Sequence, residues 1–127
     1  MSGPVLKPLR RPSLWLGLWL LAVAIVCVAS LTPPPIELPR HGDKVEHLLA
    51  YALLAAAAVQ VFRPGRFLLG VGVVLVLMGI GLEFAQGALT ATRMADPVDA
   101  LANSAGVLLG LATVRSRLSD ALLNRRG

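Results

Sequence analysis

Eight polar side chains sit in or beside apolar segments of this chain, at spacings that gather them: Lys44, His47, Tyr51, Glu83, Gln86, Arg93, Asp99 and Asn103. On a helix, Lys44, His47 and Tyr51 fall at i, i+3 and i+7, which is one face. Glu83 and Gln86 fall at i and i+3, and Thr90 and Arg93 extend that row if the helix persists. Asp99 and Asn103 fall at i and i+4. Three chemistries are open to such a set. Lys44 and Arg93 can hold a phosphate or carboxylate, with Tyr51, Gln86 and Asn103 completing the ligand contacts and the carboxylates orienting the bases. His47 can act as general acid or base, oriented by Glu83 or Asp99. His47, Glu83 and Asp99 can also supply three metal ligands and leave one position open. No convincing nucleophile accompanies them, because Ser104 lies deeper and Cys27 falls in the wrong half of its segment. We therefore place binding ahead of acid–base catalysis and rank a metal site below both. No metal and no cofactor are expected.

Four hydrophobic segments must position these groups. Residues 14–31 carry no charge and suffice for about 27 Å of helix at roughly 1.5 Å per residue. They follow Lys7, Arg10 and Arg11, and Trp15 and Trp19 near this basic end are expected at the headgroup level. Val28-Ala29-Ser30 mimics a signal-peptide cleavage site, but the run is long for a signal peptide and is read as a retained span. Residues 45–62, 67–89 and 98–114 are the second, third and fourth segments. Arg63-Pro64-Gly65-Arg66 reads as a tight turn, and Asp96-Pro97 as the break before the fourth segment. The segment centres are apolar on every side, which rejects a soluble bundle with polar helix faces. They do not alternate as membrane-barrel strands do. The expected fold is all-α: one membrane domain over residues 1–127, a bundle of four transmembrane helices.

Composition agrees. Of 127 residues, 56% are hydrophobic and 15% charged, and mean hydropathy is +0.73. This excludes disorder and argues against an ordinary globular domain. Aromatics at 5% leave little for base stacking, so no nucleic acid is expected. Walker, GxGxxG, HExxH and GxSxG motifs are absent from the sequence. The net charge of +5 follows from topology. With the N-terminus inside, the inner pieces hold Lys7, Arg10, Arg11, Arg63, Arg66, Arg115, Arg117, Arg125 and Arg126. The outer pieces hold Arg40, Lys44 and Arg93. Nine against three places both termini in the cytoplasm. Glu37, Asp43, Glu46, Glu83, Asp96 and Asp99 collect on the outer side, leaving Asp120 inside. The basic tail 115–127 either lies on anionic lipid or is solvated.

Some of these residues have structural explanations. Asp43-Lys44-Val45-Glu46 matches a capping box. Asp96-Pro97-Val98-Asp99 places an N-cap, a proline at the first helical position and an acid in the first turn. Ala102, Gly106 and Gly110 form a small-xxx-small stripe through which helices, or an oligomer, can pack. The remaining polar groups can form an interhelical hydrogen-bond cluster worth about 0.6–2 kcal/mol per contact. So many ionisable and amide groups from three helices exceed what glycine and alanine packing would require. A binding or catalytic site is the better reading.

Lys44-x-x-His47-x-x-x-Tyr51 resembles the first signature of the VanZ-like family of small integral membrane proteins. Glu83-x-x-Gln86, then Arg93, then Asp99-x-x-x-Asn103-x-x-Gly106-x-x-x-Gly110 resembles the second. The resemblance spans about residues 43–110, although the interval from Gln86 to Arg93 lacks the aromatic and proline residues often found there. It implies a four-helix protein of the bacterial cytoplasmic membrane. The founding member is associated with resistance to teicoplanin-type glycopeptide antibiotics. The resemblance together with the polar set leads to the expected role: binding or modifying a lipid or glycolipid head group at an outer-face site. The partners would be membrane lipids or a lipid-linked envelope precursor. The alternative is a membrane-embedded enzyme using His47 with Glu83 and Asp99.

Overall fold

The computed structural model describes residues 4–32, 42–89 and 97–125. Helix α1 is Pro12–Leu31, α2 is Gly42–Val61, α3 is Arg66–Leu89 and α4 is Pro97–Ala112. A 3-10 turn at Thr113–Arg115 and a one-turn helix α5, Ala121–Asn124, follow. Among the described residues the only β-type pairing is an isolated bridge between Leu6 and Phe62. The chain is all-helical, and four helices are long and apolar enough to cross a membrane.

Local chemistry sets the boundaries. Pro12 opens α1, where its missing N–H removes a donor the helix would leave unsatisfied anyway. Gly65 adopts φ 141° in the turn that reverses the chain from α2 into α3, a conformation that side chains with a Cβ rarely reach. Helix α2 begins at Gly42, so Asp43 falls inside its first turn rather than ahead of it. The Asp43 side chain lies outside the described residues, as do Glu37, Arg40, His41, Thr90, Arg93 and Asp96.

Helix α2 touches every other helix. Its closest neighbour is α4, and glycine explains the approach. A Cβ on Gly106 would stand 2.4 Å from the Leu48 carbonyl oxygen, and one on Gly110 would stand 2.4 Å from that of Ala52. Gly106 and Gly110 of the small-residue stripe thus pack against α2 of the same chain. Tyr51, Leu54, Ala55, Leu75 and Val107 form one buried cluster, and Ala58, Val59, Val61, Phe62 and Leu68 a second. Helix α1 buries none of its residues and lies along α2 and α3. Leu21, Ile25, Leu53, Leu69, Leu77, Leu101 and Leu108 are exposed, as expected of side chains facing lipid.

Two expectations change at the end where α1 begins. Trp19 points into the bundle instead of anchoring at the headgroup level. Its indole N–H donates to the Leu54 carbonyl at 2.9 Å, and its ring meets Phe62 edge-on at 5.3 Å. A helix carbonyl thus satisfies the indole where interfacial water was expected to. The tail is neither free in solvent nor simply laid on lipid. Gln60 donates from Nε2 to the Leu118 carbonyl at 2.6 Å and accepts from the Leu122 N–H at 2.9 Å. Lys7 is buried, donates to the Ser119 carbonyl, and lies 2.9 Å from Asp120 Oδ1. The segment around Lys7 pairs with the end of α2 through Lys7 N to Val61 O and Arg63 N to Val5 O. The segment around Lys7 and the tail around Asp120 are thereby held at the end of α2.

Candidate functional site

The opposite end of the bundle gathers the polar residues. Lys44, His47 and Tyr51 come from α2, Glu83 and Gln86 from α3, and Asp99 and Asn103 from α4. Arg93, grouped with them by sequence, lies outside the described residues. Each helix contributes one turn-spaced row, so packing α2 against α3 and α4 brings the rows together without irregular backbone. Glu83, Gln86, Asp99 and Asn103 each retain 5% or less of their surface, while Lys44 keeps 26%. Lys44 forms the rim and the carboxylates lie beneath it.

Lys44 Nζ stands 3.3 Å from Asp99 Oδ1. The sequence reading expects one outer base to meet one deep carboxylate, with Arg93–Asp99 the first choice. Among the described residues the base beside Asp99 is Lys44, and Arg93 lies outside them. A carboxylate buried in an apolar bundle needs such compensation, since an isolated charge there is costly. The described part of the site thus holds two carboxyl groups, one amine and one imidazole.

His47 is fixed by a relay. Its Nδ1 lies 2.9 Å from Asn103 Oδ1, and Asn103 Nδ2 donates to the Gly79 carbonyl at 3.4 Å. A carbonyl oxygen can only accept, so Asn103 turns its NH₂ toward Gly79 and its oxygen toward His47. His47 Nδ1 must then be the protonated nitrogen, and in the neutral ring Nε2 carries the lone pair. Gly79 makes room for this: a Cβ there would stand 3.0 Å from Asn103 Nδ2 and 3.2 Å from Tyr51 Cε2. Gly79 is not among the site residues expected from the sequence. Its position one helical turn before Glu83 is the signal that it belongs to the site.

One donor atom from each of His47, Glu83 and Asp99 lies within 4.8 Å of the others. Tyr51 sits one turn deeper than His47 on α2, against Gly79. It retains 1% of its surface, and its hydroxyl has no hydrogen-bond partner among the described residues. Gln86 departs from the expected ligand row. Its Nε2 donates to the Ser30 carbonyl at 2.7 Å and ties α3 to the last turn of α1. Glu46 is exposed on α2, away from the cluster.

The geometry supports three operations: accepting hydrogen bonds from a ligand's hydroxyl or amine at the buried carboxylates, presenting an ammonium at the rim, and offering a lone pair at a fixed imidazole. Comparison with protein-family models, curated proteins and solved structures finds no match.

Proposed function

We propose that this is a VanZ-like multi-pass protein of the bacterial cytoplasmic membrane, with both termini inside. Its site opens at the outer face and binds or modifies the polar head group of a membrane lipid or lipid-linked envelope precursor. The observation that carries this reading is the gathering of Lys44, His47, Glu83, Asp99 and Asn103 from three helices at one end of an apolar bundle. Polar groups at such depth are costly and mark binding or reaction sites. Lys44 at the rim is placed for a phosphate or carboxylate, and the acids below it for hydroxyls or amines. We extend the reading to teicoplanin-type glycopeptide resistance only through the family it resembles, whose founding member is associated with it.

Native mass spectrometry of the detergent-purified protein tests the binding. A lipid adduct should persist on the wild type and be lost from Lys44→Met and Asp99→Asn while the proteins remain folded. Equal adducts on all three would overturn the reading. A reporter fused after Gly127 should be active only if it works in the cytoplasm; activity of a periplasmic reporter would overturn the orientation.

One observation favours a second reading, a membrane-embedded enzyme. The Asn103–His47 bond leaves Nε2 as the ring's basic atom, the arrangement a general base needs.

A further inference from the structure

We infer that His47, Glu83 and Asp99 form a binding site for a first-row divalent metal ion, Zn²⁺ or Mn²⁺. The inference uses the same pocket as the head-group reading but does not depend on it.

Three observations converge. The first is geometric. The donor atoms come one each from α2, α3 and α4 and lie within 4.8 Å of one another. In a tetrahedral site with metal–ligand distances of about 2.0–2.2 Å, donors stand about 3.3–3.6 Å apart. Closing a 4.8 Å spacing needs about 0.7–0.9 Å of movement per donor atom, within the reach of χ adjustments. Three protein donors also leave a fourth position open to solvent or ligand.

The second is electrostatic. Glu83 and Asp99 are both buried, and Lys44 is the only ammonium among the described residues of this end. A divalent cation held between two buried carboxylates offsets the cost of keeping them ionised in a low-dielectric bundle. A carboxylate has two oxygens, so Asp99 can keep Lys44 on one and bind metal with the other.

The third is the surrounding shell. A metal-binding histidine almost always donates its second ring N–H to an oxygen, which sets its tautomer and orientation. The bond from His47 Nδ1 to Asn103 Oδ1 does this, with Gly79 O holding the amide in the required sense. The Tyr51 hydroxyl is buried with no hydrogen-bond partner among the described residues, and the Tyr51 ring edge lies against Gly79, one turn before Glu83 on α3. From there it can donate to a metal-bound oxygen. One imidazole and two carboxylates suit Zn²⁺ or Mn²⁺; Mg²⁺ and Ca²⁺ prefer all-oxygen sets.

The test uses full-length protein in detergent, stripped with a chelator and titrated with ZnCl₂ alone by isothermal calorimetry, with bound metal counted by elemental analysis. One equivalent should bind. His47→Ala, Glu83→Gln and Asp99→Asn should abolish binding, and Asn103→Leu should weaken it about 10–100-fold as loss of a supporting hydrogen bond does. A second measurement needs no variant of the site. In His41→Gln protein, where His47 is the only histidine, added Zn²⁺ should shift the ¹⁵N resonance of Nε2 and leave Nδ1 protonated. Substoichiometric binding, binding unchanged in the three ligand variants, or an unperturbed Nε2 would overturn the inference. Zn²⁺ binding without any lipid adduct would uphold it while removing the head-group reading.

Discussion

His47 Nδ1 on α2 lies 2.9 Å from Asn103 Oδ1 on α4, and the same amide reaches the Gly79 carbonyl on α3. One side chain thus ties three helices and sets the protonation pattern of the imidazole. Replacing it with leucine keeps the branched shape but leaves the part-buried ring N–H without its acceptor. Asn103→Leu should cost about 1–3 kcal/mol, the usual penalty for an unmet buried donor, read from thermal unfolding in detergent. The ¹⁵N spectrum of His47 should change from one Nδ1–H tautomer to a mixture. A tautomer ratio unaltered by the substitution would show that another group orients the ring.

Lys44 and Asp99 should behave as a coupled pair. Lys44→Met leaves the Asp99 carboxylate buried without its ammonium. The loss should fall below the about 3–5 kcal/mol seen when a fully buried pair is broken, because Lys44 keeps a quarter of its surface. The double variant Lys44→Met/Asp99→Asn should be more stable than Lys44→Met alone. Strict additivity in that double-mutant cycle would mean the 3.3 Å contact contributes nothing.

The α2–α4 contact should tolerate no added methyl. Gly106→Ala and Gly110→Ala each place a carbon 2.4 Å from a backbone carbonyl oxygen of α2. Overpacking of this kind costs about 1–3 kcal/mol, and the shift needed would also widen the site, since Asn103 is one turn from Gly106. Gly81→Ala meets nothing within 4 Å and should stay within about 1 kcal/mol of wild type, on the stabilising side. Equal melting temperatures for the three would contradict the close approach.

The tail should come loose when its clasp is cut. Asp120→Asn removes the carboxylate beside buried Lys7, and Gln60→Leu removes both bonds to the tail backbone. Asp120 is half-exposed, so screening holds its share to about 1 kcal/mol. Trypsin cleavage after Arg117 should therefore accelerate roughly fivefold when opening is fast relative to cleavage. Gln60→Leu should act more strongly, and an unchanged rate in both would return the tail to solvent.

Much of the architecture was written in the sequence. Long apolar runs broken by Pro64-Gly65 and Pro97 leave the backbone no alternative to helices, because only intrasegment hydrogen bonds satisfy it in lipid. The spacing of Lys44, His47 and Tyr51, and of Asp99 and Asn103, assigned each row to a face. Periodicity within one helix says nothing about which face meets which neighbour. That Lys44 faces Asp99, and that Gln86 donates to the Ser30 carbonyl of α1, was not legible for that reason. Gly79 looked like any other small residue until α4 placed Asn103 against it. Lys7 and Trp19 were read by type, as a topogenic charge and an interfacial indole. Tertiary packing gave both partners within the protein, because a neighbouring carbonyl or carboxylate can replace the water that their types alone would require.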